Sequence, residues 1–188
     1  CNYIHLPLQA GSNRILKRMN RTYTKEKFIE LVEKIRTYLP GVGISTDIIV
    51  GFPGETDEDF NETLEVMRKV KFDSAFTFKY SPRKGTKAME YDDQVDENIK
   101  QKRLEKLISL QNLHTKQRNQ SFIGRIEKIL IEKESKRDKR KWSGRTDSNK
   151  WVVFDKENTK IKDIVDVYIK RTSGVTLFGE IYNKARAA

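Results

Sequence analysis

The stretch Ile49–Thr56, "IVGFPGET", sets two glycines around a proline at the end of an apolar run. Gly51 and Gly54 can take backbone angles closed to other residues and let a ligand approach the main chain. Pro53 stiffens the turn, and Phe52 offers an apolar face to a flat ring. There is no Lys-Ser/Thr ending, and Glu55 repels phosphate from the following helix start, so this is not a phosphate loop. "GVGIST", Gly41–Thr46, precedes its strand, whereas a dinucleotide fingerprint follows one. A loop without an anion cradle suits an adenine-like ring or a peptide. A purely structural turn is the other reading the residues leave open.

Asp47 lies within the same apolar strand, a costly place for a carboxylate unless it is paired. It is read either as facing the interior or rim of a barrel, or as a buried acid paired with Lys79 or an arginine. His5 near the end of "NYIHLPLQ" is read first as a satisfied strand-end histidine, with catalysis the alternative. The single cysteine, Cys1, excludes an internal disulfide framework and points to a reducing cytosol. The two histidines are far apart in sequence and, with Cys1, give no metal-ligand cluster. A chain that opens on Cys1, directly in a strand, is read as a piece of a longer one.

The elements that must position these groups follow from periodicity. "NYIHLPLQ" reads as a strand and "AGSNR" as its exit. A helix follows, capped by Thr24, with Phe28, Leu31, Val32 and Ile35 on one face and Pro40-Gly41 ending it. "GISTDIIVGF" is a strand too continuous in its apolar part to be half exposed. The next helix starts in a capping box, Thr56 with Asp59, and buries Phe60, Leu64 and Met67. "SAFTFKYSP" is a third, alternating strand, and a long helix spans about Asp96 to Gln120. This alternation is the signature of parallel βα units wound right-handed. After Gly124, "RIEKILIEKES", "KWVVFD" and "IVDVYIKRT" are short strands that suggest a small antiparallel barrel. The boundary is placed near residues 119–124, giving domains 1–120 and 121–188.

No apolar run approaches a membrane span, and no segment resembles a signal peptide. Net charge is +11, and residues 119–188 hold 17 Lys+Arg against 10 Asp+Glu, more than half of that excess. Such a bias suggests a polyanion partner there. Its densest part is "KRDKRKWSGR", where Lys136, Arg137, Lys139, Arg140, Lys141 and Arg145 surround Trp142. Cations for phosphate and an indole for an unpaired base fit a structured RNA loop, while a solvated hairpin tip is the plainer alternative.

"HLPLQAGSNRILKRMNRTYT", "STDIIVGFPGETDEDF" and "FDSAFTFKYSPRKGTKA", in this order, resemble the second half of the radical S-adenosylmethionine barrel of methylthiotransferases. "GRIEKILIE", "SGRT" and "LFGE" resemble the TRAM domain, a small OB-like RNA-binding barrel that follows it in this family. The resemblance covers essentially the whole chain. It implies a partial parallel (βα) barrel followed by a small antiparallel β-barrel, in a cytoplasmic protein. Family chemistry uses a [4Fe–4S] cluster, held by a Cys-x-x-x-Cys-x-x-Cys loop, to reduce S-adenosylmethionine to a radical. That radical activates an adenosine carbon for sulfur insertion; a second cluster takes part in sulfur donation, and another S-adenosylmethionine methylates the sulfur. The implied reaction is at C2 of N6-(dimethylallyl)adenosine beside the tRNA anticodon. Relatives that modify a ribosomal protein or threonylcarbamoyladenosine, and a non-catalytic RNA-binding protein on a βα scaffold, are the alternatives.

One cysteine cannot hold such clusters, so this chain alone is expected to be inactive, with no catalytic or metal-ligating residue of its own. The resemblance carries cofactor-binding roles onto Val50, Gly51, Phe52 and Pro53 at the adenine and Glu55 shaping the turn. Gln9 and Ser12 are expected on the same rim, hydrogen-bonding cofactor or substrate, and Asp47, from its place in the strand, is assigned to the cofactor site as well. Ala10 stands where the family often has serine, and "KDIVDVYI" lacks the family's usual glycine before its strand. With TRAM-like strands on both sides, the basic tract reads as RNA-binding, and Arg145 and Lys150 are assigned near the same face. The expected partner is a tRNA anticodon arm. The open edge of a half barrel also predicts that this chain by itself aggregates or dimerises.

Overall fold

The computed structural model describes residues 1–183. The elements are β1 (Tyr3–His5), α1 (Asn13–Arg18), α2 (Lys25–Tyr38), β2 (Gly43–Val50), α3 (Asp57–Val70), β3 (Ser74–Lys79) and α4 (Glu97–Gln120). Five strands follow: β4 (Ile126–Glu134), β5 (Lys141–Thr146), β6 (Trp151–Asp155), β7 (Ile164–Ser173) and β8 (Thr176–Ile181). Ile4–His114 forms one compact unit, and the described residues from Thr115 to Asn183, with Cys1–Tyr3, form another.

In the first unit the strand order is β1-β2-β3. β2 and β3 run parallel, with Ser45 opposite Ser74 and Val50 opposite Lys79. Side chains alternate across a strand. Ile44, Thr46, Ile48 and Val50 are therefore buried on one face of β2, where the unit's core includes Phe28, Val32, Phe60, Leu64, Met67 and Phe72. Ser45, Asp47 and Ile49 take the other face, and the half-buried Asp47 and Ile49 mark it as partly open. Both anticipated caps form. The Thr24 hydroxyl accepts from the Lys27 N–H at the start of α2, and Thr56 and Asp59 make the reciprocal capping box of α3.

Two local expectations are corrected. Residues read as a strand exit include the helix α1, which buries Ile15 and Leu16. Leu31, assigned to the buried stripe of α2, is 45% exposed, so that face narrows to Phe28 and Val32 with the partly buried Ile35 packed against the core.

The second unit is a closed barrel of order β4-β5-β6-β8-β7. Ile129, Ile131, Trp142, Val152, Phe154, Val167, Ile169 and Leu177 fill it, most from alternate positions of their strands. The three expected strands are here five, because β5 and β8 lie in charged and glycine-containing stretches that mask their alternation. Neighbouring strands are antiparallel except β6 and β8, which run parallel and so correct the all-antiparallel expectation. Among the described residues no helix is long and apolar enough to cross a membrane.

Candidate functional site

The turn after β2 is built around a buried carboxylate. Glu55 has a side chain only 1% exposed. It accepts from the Gly51 N–H at 2.7 Å and from the Arg103 guanidinium at 2.8 Å. Arg103, from α4, also donates to the Glu55 carbonyl at 3.0 Å and to Asp57 at 2.7 Å. Burial pushes the Glu55 carboxyl above its ordinary range, against the opposing pull of the Gly51 N–H and Arg103. Gly51 and Gly54 have φ of 70° and 78°, the left-handed region that only glycine takes without penalty.

The main chain expected to stand bare at these glycines is covered. A Cβ on Gly51 would lie 2.3 Å from Cγ of Lys100, and one on Gly54 would lie 2.4 Å from Oδ2 of Asp93. Val50, Phe52 and Pro53 are buried, and Phe52 packs edge-on against Tyr80 at 5.1 Å. The corner is thus plugged by side chains that sequence spacing could not bring there, since Asp93 and Lys100 are remote along the chain.

A second network ties the Gln9–Ser12 turn to α3. Ser12 is buried and donates to Asp59 at 2.6 Å, and Arg14 pairs with the same carboxylate. The Gly11 N–H donates to Thr63 at 2.9 Å. Burial alone would push the Asp59 carboxyl up, but hydrogen bonds from Arg14, Ser12 and Thr56 hold it well below the usual range. Its folded pKa is therefore below its unfolded value of 3.8. Asp59 consequently stabilises the fold above that pH and loses the contribution as acid protonates it. The melting temperature should fall as pH drops below about 4, and Asp59→Asn should flatten that acid limb. Parallel limbs in a thermal-melt series would remove Asp59 from the acid response.

Asp47 does not meet Lys79, the partner considered from sequence, because the two lie on opposite faces; Lys79 pairs instead with Glu97. The Asp47 carboxylate lies 3.3 Å from His5 Nε2, and Ser45 Oγ lies 2.8 Å from Nδ1. With Nε2–H donating to the carboxylate, the neutral ring accepts from the Ser45 hydroxyl. Gln9 is buried in a left-handed conformation, φ 67°, its N–H donating to the Asp47 carbonyl at 2.8 Å. His5, Ser45 and Asp47 thus share the open face of the sheet. Phe76 and Phe78 of β3 join them there, and sequence reading missed both.

On the barrel, the basic tract forms the β4–β5 connection. Lys136, Arg137, Lys139 and Arg140 are exposed, with Arg140 held by Asp138 at 3.0 Å; Lys141, half-buried, pairs with Asp155 at 3.0 Å. Trp142 is 8% exposed and belongs to the barrel core. Its indole N–H donates to Thr159 at 2.9 Å, and Lys156 lies 4.2 Å from its ring centroid. It is not presented to a base. Arg145 donates to Asn149, pairs with Glu132 and lies over Trp151, 4.4 Å from the ring centroid. Lys150 is 6% exposed, beneath the surface of this unit.

Residues 1–67 match the radical SAM superfamily, and residues 120–182 match the TRAM domain. Over 180 residues, 96% of the chain, it is 53% identical to a tRNA-2-methylthio-N(6)-dimethylallyladenosine synthase of Clostridium tetani, covering 40% of that protein. Bearers of the same name from Natranaerobius thermophilus and Thermoanaerobacter sp. are 50% and 48% identical over 97% and 99% of the chain, again covering 40% of each relative. Along nearly its whole length the chain is therefore similar to these methylthio-adenosine synthases, with a radical SAM match in its first part and a TRAM match in its last. It spans about two fifths of the length of these relatives.

Proposed function

We propose that this chain is part of a tRNA-modifying enzyme that inserts sulfur and methyl at C2 of N6-(dimethylallyl)adenosine next to the anticodon. The observation that carries this reading is near-50% identity, over nearly the whole chain, to relatives bearing that activity in their names. Residues 1–120 would supply the carboxyl-terminal part of the radical-SAM (βα) barrel, and residues 121–188 the TRAM domain. Of the latter, 184–188 lie outside the described residues.

The clusters of this chemistry do not fit the residues present, because the chain holds one cysteine. Their ligands would come from elsewhere in the protein, and these 188 residues alone would be inactive. S-adenosylmethionine, when bound, supplies the radical and the methyl group. Gly51, Phe52 and Pro53 would form part of its wall, with Val50 packed beneath them in the core and Gln9 and Asp47 on the rim. Ser12 and Glu55 would act by holding the two turns in shape, given their buried partners. Lys100 would have to leave Gly51 for a ring to lie there. A cytoplasmic location follows from a tRNA substrate, and self-association through the unpaired edge of β3 completes the reading.

The TRAM barrel would take the anticodon arm through the β4–β5 connection, chiefly Lys136, Arg137, Lys139 and Arg140, with Arg145 and Trp151 behind it. Lys139→Glu and Arg140→Glu should each weaken tRNA binding and lower the slope of log K against log salt by about 1. A filter-binding series measures both. Unchanged binding in both variants would remove this tract from the interface. Deleting the gene and weighing tRNA nucleosides by mass spectrometry tests the activity; an unchanged level of the methylthio nucleoside would refute it.

A further inference from the structure

Phe76 and Phe78 are 55% and 52% exposed, although they occupy an ordered strand. Being two residues apart on β3, they share one face. That face continues onto β2, where Asp47 stands opposite Phe76 and Ile49 opposite Phe78. The His5 ring meets Phe76 edge-on, with centroids 5.9 Å apart and planes at 70°. The imidazole is fixed by Ser45 and Asp47.

Two flat apolar rings beside a small, pre-oriented hydrogen-bonding set is the composition of a small-molecule site. No lysine or arginine is among His5, Ser45, Asp47, Ile49, Phe76 and Phe78. Asp47 would repel a phosphate, and none of these six residues is a lysine or arginine, so the face suits a neutral group. The ligand must be apolar over one part and carry hydrogen-bonding edges on another. A purine with a branched hydrocarbon arm has both. An unmodified base has only the edges and ring faces.

We infer that this face seats the modified base itself, with the N6-dimethylallyl arm against Phe76 and Phe78 and the base edge toward His5 and Asp47. This rests on the proposed tRNA substrate and adds that Phe76 and Phe78 select the alkylated base over plain adenosine.

The test uses the full-length protein and two anticodon stem-loop RNAs that differ only in bearing N6-(dimethylallyl)adenosine or adenosine at the target position. Wild type should bind the alkylated RNA at least about tenfold more tightly, the scale set by a few methylenes in an apolar pocket. Phe76→Ala and Phe78→Ala should lose that preference while keeping affinity for the plain RNA. Phe78→Leu should retain most of it. Phe78→Thr, a strand former, serves as the replacement should the alanine variant unfold. The inference is overturned if the variants keep the wild-type preference. It is also overturned if they lose affinity for both RNAs equally, as they would were the rings packed on another protein segment. Wild type that shows no preference would overturn the proposed substrate along with the inference; wild type that prefers the alkylated RNA while the variants also do so would overturn the inference alone.

Discussion

Replacing Arg103 by methionine should cost about 3–5 kcal/mol of folding stability, the usual penalty for removing one partner of a buried ion pair. The carboxylate left behind would be that of Glu55, whose side chain is 1% exposed. The Gly51 N–H would still donate to it, and the second carboxylate bound by the guanidinium, the exposed Asp57, would be left to solvent. Burial already pushes Glu55 upward, so removal of the guanidinium should raise its folded pKa further above 4.5. The sign follows. A group with a raised folded pKa stabilises the folded state below its unfolded pKa, and that contribution fades as pH rises through the folded pKa. The deficit of Arg103→Met should thus be largest near neutral pH and shrink on mild acidification. The double variant Arg103→Met/Glu55→Gln should recover much of the loss because no buried charge remains. Urea unfolding at two pH values reads all of this, and a deficit below about 1 kcal/mol at neutral pH would mean that the pair behaves as an exposed one.

In the barrel, Phe154→Ala should remove about 3–5 kcal/mol, the range for emptying a buried aromatic site. Phe154 is 0% exposed and packs in one cluster with Ile129, Ile131, Val167, Ile169 and Leu177. A closed small barrel cannot collapse onto the vacated volume without breaking strand pairing, so the cavity persists. Typical domain stabilities are about 5–15 kcal/mol, so such a loss is a large fraction of the total. Thermal unfolding followed by circular dichroism should show the barrel's transition moving far down. Phe154→Leu should cost less than half as much. Under the proposed function, tRNA binding should fall with the barrel in Phe154→Ala, whereas Lys139→Glu should weaken it at an unchanged melting temperature. If Phe154→Ala melts like the wild type, the side chain does not fill the core.

Helices with local stop and start signals were legible in the sequence. Thr24 and Thr56 announce α2 and α3 because a cap is satisfied within three residues of its own hydroxyl. α1 was not legible, since six residues are too few for a periodic pattern and Ser12 gives it no side-chain cap. Instead the Ser12 hydroxyl is spent on Asp59, 47 residues away. β5 was hidden because it begins inside a basic tract whose cations point outward from a buried Trp142. The indole looked available to RNA only because a sequence does not say which face of a strand is covered.

The candidate site divides in the same way. Alternation in "SAFTFKY" is visible by inspection, yet it shows two faces without showing that Phe76 and Phe78 take the open one. Asp47 could be flagged as an acid in an apolar strand, but its partner is His5, brought beside it by β1 packing along β2.

Sequence by itself determined the βα order, the capped helices, the charge bias toward the second half and the glycine requirement at Gly51 and Gly54. These depend on neighbours along the chain, where backbone geometry and periodicity act. Tertiary structure alone decided that Arg103 neutralises Glu55, that Lys100 lies on Gly51, and that His5, Asp47, Phe76 and Phe78 share a surface. Those are contacts between side chains dozens of residues apart, and only strand register and helix packing set which of them meet.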